Sequence, residues 1–136
     1  IARRRAARVG SSAHFDVQFF SGDEKIGIMQ PNKIVSSLVL HQTPLSEKRR
    51  IIQTAYDALP QQGLLIVADY GAQSSRLMRF LFRLTVQTLD GLEKTQPNAD
   101  GILSNLLEDA GFTSTEEPAV IPTLTGSISI FRSMKF

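Results

Sequence analysis

Few side chains in this sequence can do acid–base or ligand chemistry. There is no cysteine, so disulfides, thiolate metal sites and cysteine nucleophiles are excluded. The histidines are His14 and His41, too few for a His-rich metal centre, and no metal ligand set is expected. His41 closely follows the apolar run KIVSSLVL, and Asp69 directly follows LLIVA. Residues just beyond buried strands gather at one edge of an open α/β sheet, where ligands bind. There His41, the one histidine at this edge, reads either as a general base or as a structural or substrate-facing group. Asp69 either orients a substrate or caps the segment after it. Ser36, Ser37 and Leu38 lie near the end of the same strand, and the serines are small enough either for ligand contact or for packing. Asp23, beside Gly22, reads either as a ligand carboxylate or as turn chemistry. Arg76, Arg79 and Arg83 recur at i, i+3 and i+7, the spacing of one helix face. They suit an anion site or a solvated face.

These residues need elements to hold them. Ala2 to Val9 reads as a short basic helix closed by Gly10. His14 to Phe20, rich in Val and Phe, reads as a strand, and Gly22 to Asn32 as a loop. Lys33 to Leu40 lacks clean alternation and reads as a strand buried on both faces. A helix is expected from Glu47 to Leu59, capped by Ser46, with Ile52, Ala55, Tyr56 and Leu59 on its apolar face and Pro60 and Gly63 as its stop. Leu64 to Ala68 reads as another buried strand. Helices from Ser75 to Leu89 and from Ala99 to Ala110 follow. The chain closes with strands Phe112 to Val120 and Ser127 to Arg132, joined through Pro122 and Gly126. With so short a link those two must be antiparallel neighbours. Buried strands alternating with amphipathic helices predict an α/β fold in three layers on a mostly parallel sheet ending in an antiparallel hairpin.

The 136 residues suit one domain spanning 1–136. A net charge of +2 supplies no strong field for nucleic acid or a membrane surface, so neither is an expected partner. Four of the basic residues, Arg3, Arg4, Arg5 and Arg8, cluster at the start, leaving the remainder slightly acidic. The longest apolar stretch, Leu77 to Leu89, is interrupted by Arg79, Arg83 and Gln87, and no secretory signal pattern opens the chain. A cytoplasmic protein is the expectation. The same stretch carries more apolar surface than one sheet contact requires, which points to subunit contact.

The segment IVSSLVLHQTPLSEKRRIIQTAYDALPQQGLLIVADYG closely resembles S-adenosylmethionine (SAM)-dependent class I methyltransferases of the ubiquinone/menaquinone-biosynthesis type, also grouped as type 11/12. LLEDAGFTSTEE and TGSISIFRS resemble that family's sixth and seventh strands, and the likeness runs from Ala2 to the end. The resemblance implies an incomplete Rossmann-like methyltransferase sheet and SAM as cofactor. It implies Asp23, Ser36, Ser37 and Leu38 as cofactor contacts, Asp23 toward the adenine amino group, and His41 and Asp69 as substrate-facing groups.

Two family features are absent from the sequence. There is no G-x-G loop to let backbone amides approach the methionine part, and no acidic residue at a second strand to hold the ribose. Asn32 and Lys33 stand where the family commonly has Phe-Asp, and Gln61 and Gln62 where it has Pro-Gly. Hence the expectation is an N-terminally truncated or degenerate methyltransferase relative, not catalytic as this chain alone, with no useful SAM affinity. The alternative is a non-catalytic, homodimeric ligand-binding or scaffolding module. A homodimer is expected in either case, because KIVSSLVL would have one unpaired, apolar edge.

Overall fold

The computed structural model describes residues 2–15 and 31–136. Asp23, most of the expected His14–Phe20 strand and nearly all of the Gly22–Asn32 loop lie outside the described residues. Helix α1 spans Ala2–Arg8 and ends, as expected, near Gly10. Four strands then build one sheet: β1 Lys33–Ser37, β2 Leu64–Tyr70, β3 Ser114–Thr123 and β4 Gly126–Met134. Their order is β1-β2-β4-β3. β1 and β2 are parallel, while β4 runs antiparallel to both β2 and β3. Three strands therefore point one way and β4 alone opposes them, which is the parallel sheet with a terminal hairpin that the sequence predicts.

The main core covers one face of this sheet. Leu65 and Val67 of β2 and Phe131 of β4 meet Ile51, Ile52, Ala55 and Leu59 of the helix α2 region (Leu45–Ala58) and Leu103, Leu106 and Leu107 of α6 (Ile102–Asp109). On the alternate positions, Ile66, Ala68, Ile128 and Ile130 are only half-buried. A smaller cluster, Tyr70, Phe82, Val86 and Ala99, joins the end of β2 to the helix that follows it. That helix starts as α3 (Arg76–Phe82), widens into a π turn over Arg83–Gln87 and ends as α4 (Thr88–Asp90). Ser75 caps it by accepting from the Met78 amide at 3.1 Å. Within the π turn the Thr88 hydroxyl donates to the Arg83 carbonyl, five residues back, at 3.0 Å.

Several sequence expectations change. β1 is shorter than Lys33–Leu40 and is not buried on both faces: Val35 is 68% exposed. It stops because Leu38 turns left-handed (φ 54°) and the chain winds into a 3-10 turn over Leu40–Gln42. The cap of α2 is Pro44 rather than Ser46, which sits inside the first turn. The helix expected from Ala99 begins only at Ile102, after a break at Asp100 and Gly101, and is preceded by α5 (Leu92–Ala99), which the sequence reading did not anticipate. Pro122 lies within β3, paired with Ser127, and not in the turn. Proline is tolerated there because β3 is an edge strand. The turn is Leu124–Thr125, and Gly126 opens β4 at φ 129°, where an added Cβ would sit 3.0 Å from Gln73 Oε1 and Phe82.

Candidate functional site

The parallel pair β1 and β2 brings His41 and Asp69 together at the carboxyl edge of the sheet. Asp69 is wholly buried, and both of its oxygens are engaged. Oδ2 accepts the backbone amides of Val39 (3.0 Å) and Leu40 (2.7 Å). Oδ1 accepts the Tyr70 amide at 2.8 Å and lies 2.6 Å from His41 Nδ1. Asp69 therefore caps the 3-10 turn that carries His41. It does not cap the segment after itself, apart from the adjacent Tyr70 amide.

The bonding around the ring assigns its tautomer. A carboxylate only accepts, so Nδ1 carries the proton. The Gln42 amide nitrogen lies 3.3 Å from Nε2 and donates to it, so Nε2 holds the lone pair. On the same side Asp90 Oδ2 is 3.6 Å away. The two ring nitrogens thus face two different carboxylates, Nδ1 that of Asp69 and Nε2 that of Asp90. The ring is 4% exposed and packs edge-on to Tyr70, centroids 4.9 Å apart.

A third charged group completes the network. Lys48 is fully buried on the apolar face of α2. Its ammonium donates to the Leu40 carbonyl, to Thr43 O (2.7 Å) and to Lys94 O (2.8 Å). It thereby ties the His41 turn, on both sides, to α5. Burial lowers its pKa to about 8 against the opposing pull of Asp69. Nearby, Gln73 and Asn98 fix the loop after β2. Gln73 donates to Gly71 O and Ser127 O and accepts the Ser127 amide, all within 2.9 Å. Asn98 donates to Tyr70 O at 2.8 Å while its own Oδ1 is buried without a partner.

Of the residues singled out in the sequence, His41 and Asp69 meet in one network, and Ser36 and Ser37 lie at the same edge, half-buried and exposed respectively. Leu38 is 43% exposed and serves as the turning point. Lys48, Asp90, Gln73 and Asn98 were missed. Lys48 had a signal, since 48, 52, 55 and 59 share the helix face of Ile52, Ala55 and Leu59. Asp90 and Asn98 had none.

The described residues do not fit SAM. Asp69, the carboxylate at this edge, has no lone pair free for ribose hydroxyls, and Gly71 offers no backbone approach because Ser129 fills the space beside it. A groove of about 270 Å³ beside β1, lined by Ser36, Ser37, Val39 and Leu40 together with core residues, is mainly apolar. Among the described residues no cluster of metal-ligating side chains occurs, and no helix is long and apolar enough to cross a membrane.

No family model and no curated protein matches the sequence. Solved structures do match in fold. Magnesium protoporphyrin IX methyltransferase of Synechocystis, with bound SAH, superposes at TM-score 0.69 with 17% identity, over 99% of this chain and 58% of that one. A SAM-dependent methyltransferase of Thermotoga maritima, described as a possible histamine N-methyltransferase, gives 0.67 and 15%, over 98% and 68%. The neocarzinostatin-pathway O-methyltransferase, with SAM and 2-hydroxy-5-methyl naphthoic acid, gives 0.62 and 20%, over 99% and 38%. PigF with SAH is matched over only 33% of its length. The chain thus spans between about a third and two-thirds of these enzymes, and over that span it has the fold of the class I SAM-dependent methyltransferases.

Proposed function

We propose that this chain is a piece or a degenerate relative of a ubiquinone-type SAM-dependent methyltransferase that retains the acceptor-side base but does not itself bind SAM usefully. The observation that carries the reading is the His41–Asp69 pair, held at 2.6 Å at the ligand-binding edge of a methyltransferase sheet. Its Nε2 is the atom suited to take a proton from an acceptor hydroxyl or amine, with Asp90 to steady the resulting charge. SAM, where bound, supplies the electrophilic methyl group. Nothing among the described residues replaces the glycine loop and ribose carboxylate of the resembling enzymes. Losing several hydrogen bonds at about 1–3 kcal/mol each moves a micromolar site to the millimolar range. Calorimetric titration with SAM and SAH should give dissociation constants weaker than about 100 μM. A tighter value overturns the proposal of weak binding and leaves the base in place.

Exposed Val35 on β1 and Leu38 and Val39 just beyond its end favour a second element of the reading, a homodimer closed through this edge. Sedimentation at rising concentration should show the dimer, whereas a constant mass of one chain excludes it. The cytoplasm remains the proposed location.

A further inference from the structure

We propose that the cleft between α3 and α5 binds an oxyanion carried on a flat apolar body, an aromatic carboxylate or an aryl phosphate. The cleft encloses about 380 Å³, room for one ring and its anionic group, and is lined by Arg76, Arg79, Phe80, Phe82, Arg83, Gln87, Gln96, Ala99 and Asp100. Three guanidiniums thus face one carboxylate. Among the described residues none of the three lies within 4.0 Å of a carboxylate. Arg79 and Arg83 are four apart, so their charges oppose each other until an anion intervenes. Arg79 is also preset: its Nε donates to Gln73 O at 2.7 Å, leaving its terminal nitrogens to meet a ligand. A pinned guanidinium loses less freedom on binding and suits bidentate recognition of oxyanions.

The opposite wall is equally fixed. Gln87 donates to Gln96 Oε1 at 2.9 Å, and Gln96 donates to Asp100 Oδ1 at 2.8 Å. This chain of amides holds the Asp100 carboxylate at the rim, so it does not swing across to neutralise the arginines. Phe82 is buried and forms part of the floor, while Phe80, 60% exposed, presents a ring beside the charges. A carboxylate or phosphate would meet the guanidiniums while its aromatic body lies on Phe80. The rings of Phe82, Tyr70 and His41, tilted and then edge-on with centroids 5.1 and 4.9 Å apart in turn, lie between this cleft and the Asp69 network. The inference therefore does not depend on methyl transfer.

Calorimetric titration of the full chain at fixed ionic strength tests it, with phenyl phosphate, benzoate and inorganic phosphate as probes. Phenyl phosphate should bind at least about tenfold tighter than inorganic phosphate. Arg76→Ala with Arg83→Ala should weaken phenyl phosphate by about tenfold or more. Phe80→Ala should erase the preference for the ring while leaving inorganic phosphate unchanged. Asp100→Asn should tighten all three probes. Benzoate matching phenyl phosphate would mark a carboxylate site, and phenyl phosphate alone a phosphate site. Circular dichroism confirms that these exposed substitutions leave the fold intact. Equal affinity in the parent and the double arginine variant overturns the proposal. So does binding only to phosphatidylglycerol vesicles, which would make the arginines and the exposed Leu77, Phe80 and Leu84 a lipid-facing surface.

Discussion

The helical run from Arg76 to Asp90 touches two polar regions of opposite character. At its end Asp90 approaches a network in which Asp69, His41 and Lys48 are buried and spend most of their bonding on the protein itself. Along its earlier turns Arg76, Arg79 and Arg83 stand exposed over a cleft, and among the described residues none of them lies within 4.0 Å of a carboxylate. Buried charge persists only when paired and hydrogen-bonded, so the first region must hold the fold together whatever else it does. Exposed, unpaired charge adds little to folding and is free for a ligand. Stability and binding should therefore separate between the two regions.

The sharpest break is Asp69→Ala. It strips the acceptor from the amides of Val39, Leu40 and Tyr70 and from the His41 Nδ1–H, and leaves Lys48 without its nearby negative charge. Urea denaturation should show a loss of about 3–5 kcal/mol. A loss below about 1 kcal/mol would mean that this network is not what fixes the His41 turn.

Lys48 gives the next largest effect, visible as a dependence on pH. Its folded pKa is lowered from the ordinary 10.5 to about 8, because burial disfavours the ammonium. Below about 8 both states are charged, and the buried charge weighs against the fold. Between 8 and 10.5 the unfolded chain keeps a proton that the folded chain has released, so stability rises with pH across that window. The rise should reach at most about 3 kcal/mol. Lys48→Met should abolish it and, by removing the amine's two N–H donors from among the carbonyls of Leu40, Thr43 and Lys94, lower stability by about 2 kcal/mol at the alkaline end.

Asp90→Asn acts more weakly. Asp90 is partly exposed and 3.6 Å from Nε2, so the change in stability should stay under about 1 kcal/mol. Nitrogen chemical shifts of His41 give the finer readout. The Nε2 resonance should move while the Nδ1–H, held by Asp69, stays in place. A swap of tautomer would show that Asp90, and not Asp69, sets the ring.

How much of this could be read from the residues depends on which force sets each feature. The β1–β2–hairpin architecture and the meeting of His41 with Asp69 were legible, because apolar runs and short connections dictate strand neighbours. The end of β1 was not, since a left-handed Leu38 has no local signal and follows from Asp69 gripping two amides across the sheet. α5 was hidden by Pro97 and a polar composition that reads as loop. Asp90 and Asn98 act through contacts that only tertiary packing creates. The arginine row was legible as a face, but not the cleft opposite it, which needs α5.

The smallest expected effect on stability belongs to those arginines, and it decides whether the two regions differ as argued. Arg76→Ala and Arg83→Ala remove exposed side chains with no ion-pair partner among the described residues, so each should change stability by no more than about 0.5 kcal/mol. Arg83→Ala also relieves its repulsion with Arg79, worth about 0.2–0.5 kcal/mol in low salt, so a slight gain there that fades as salt rises is the expected sign. Arg79→Ala should cost more than either, because it also removes the donor to Gln73 O and loosens the loop after β2. Thermal melts with phenyl phosphate complete the contrast. A ligand at free concentration L that binds only the folded chain stabilises it by RT ln(1 + L/Kd), so at one phenyl phosphate concentration the parent should shift upward clearly more than the Arg76→Ala, Arg83→Ala double variant. If the double variant instead melts well below the parent without ligand, the arginines are part of the fold, and the division between a bonded interior and a free cleft fails.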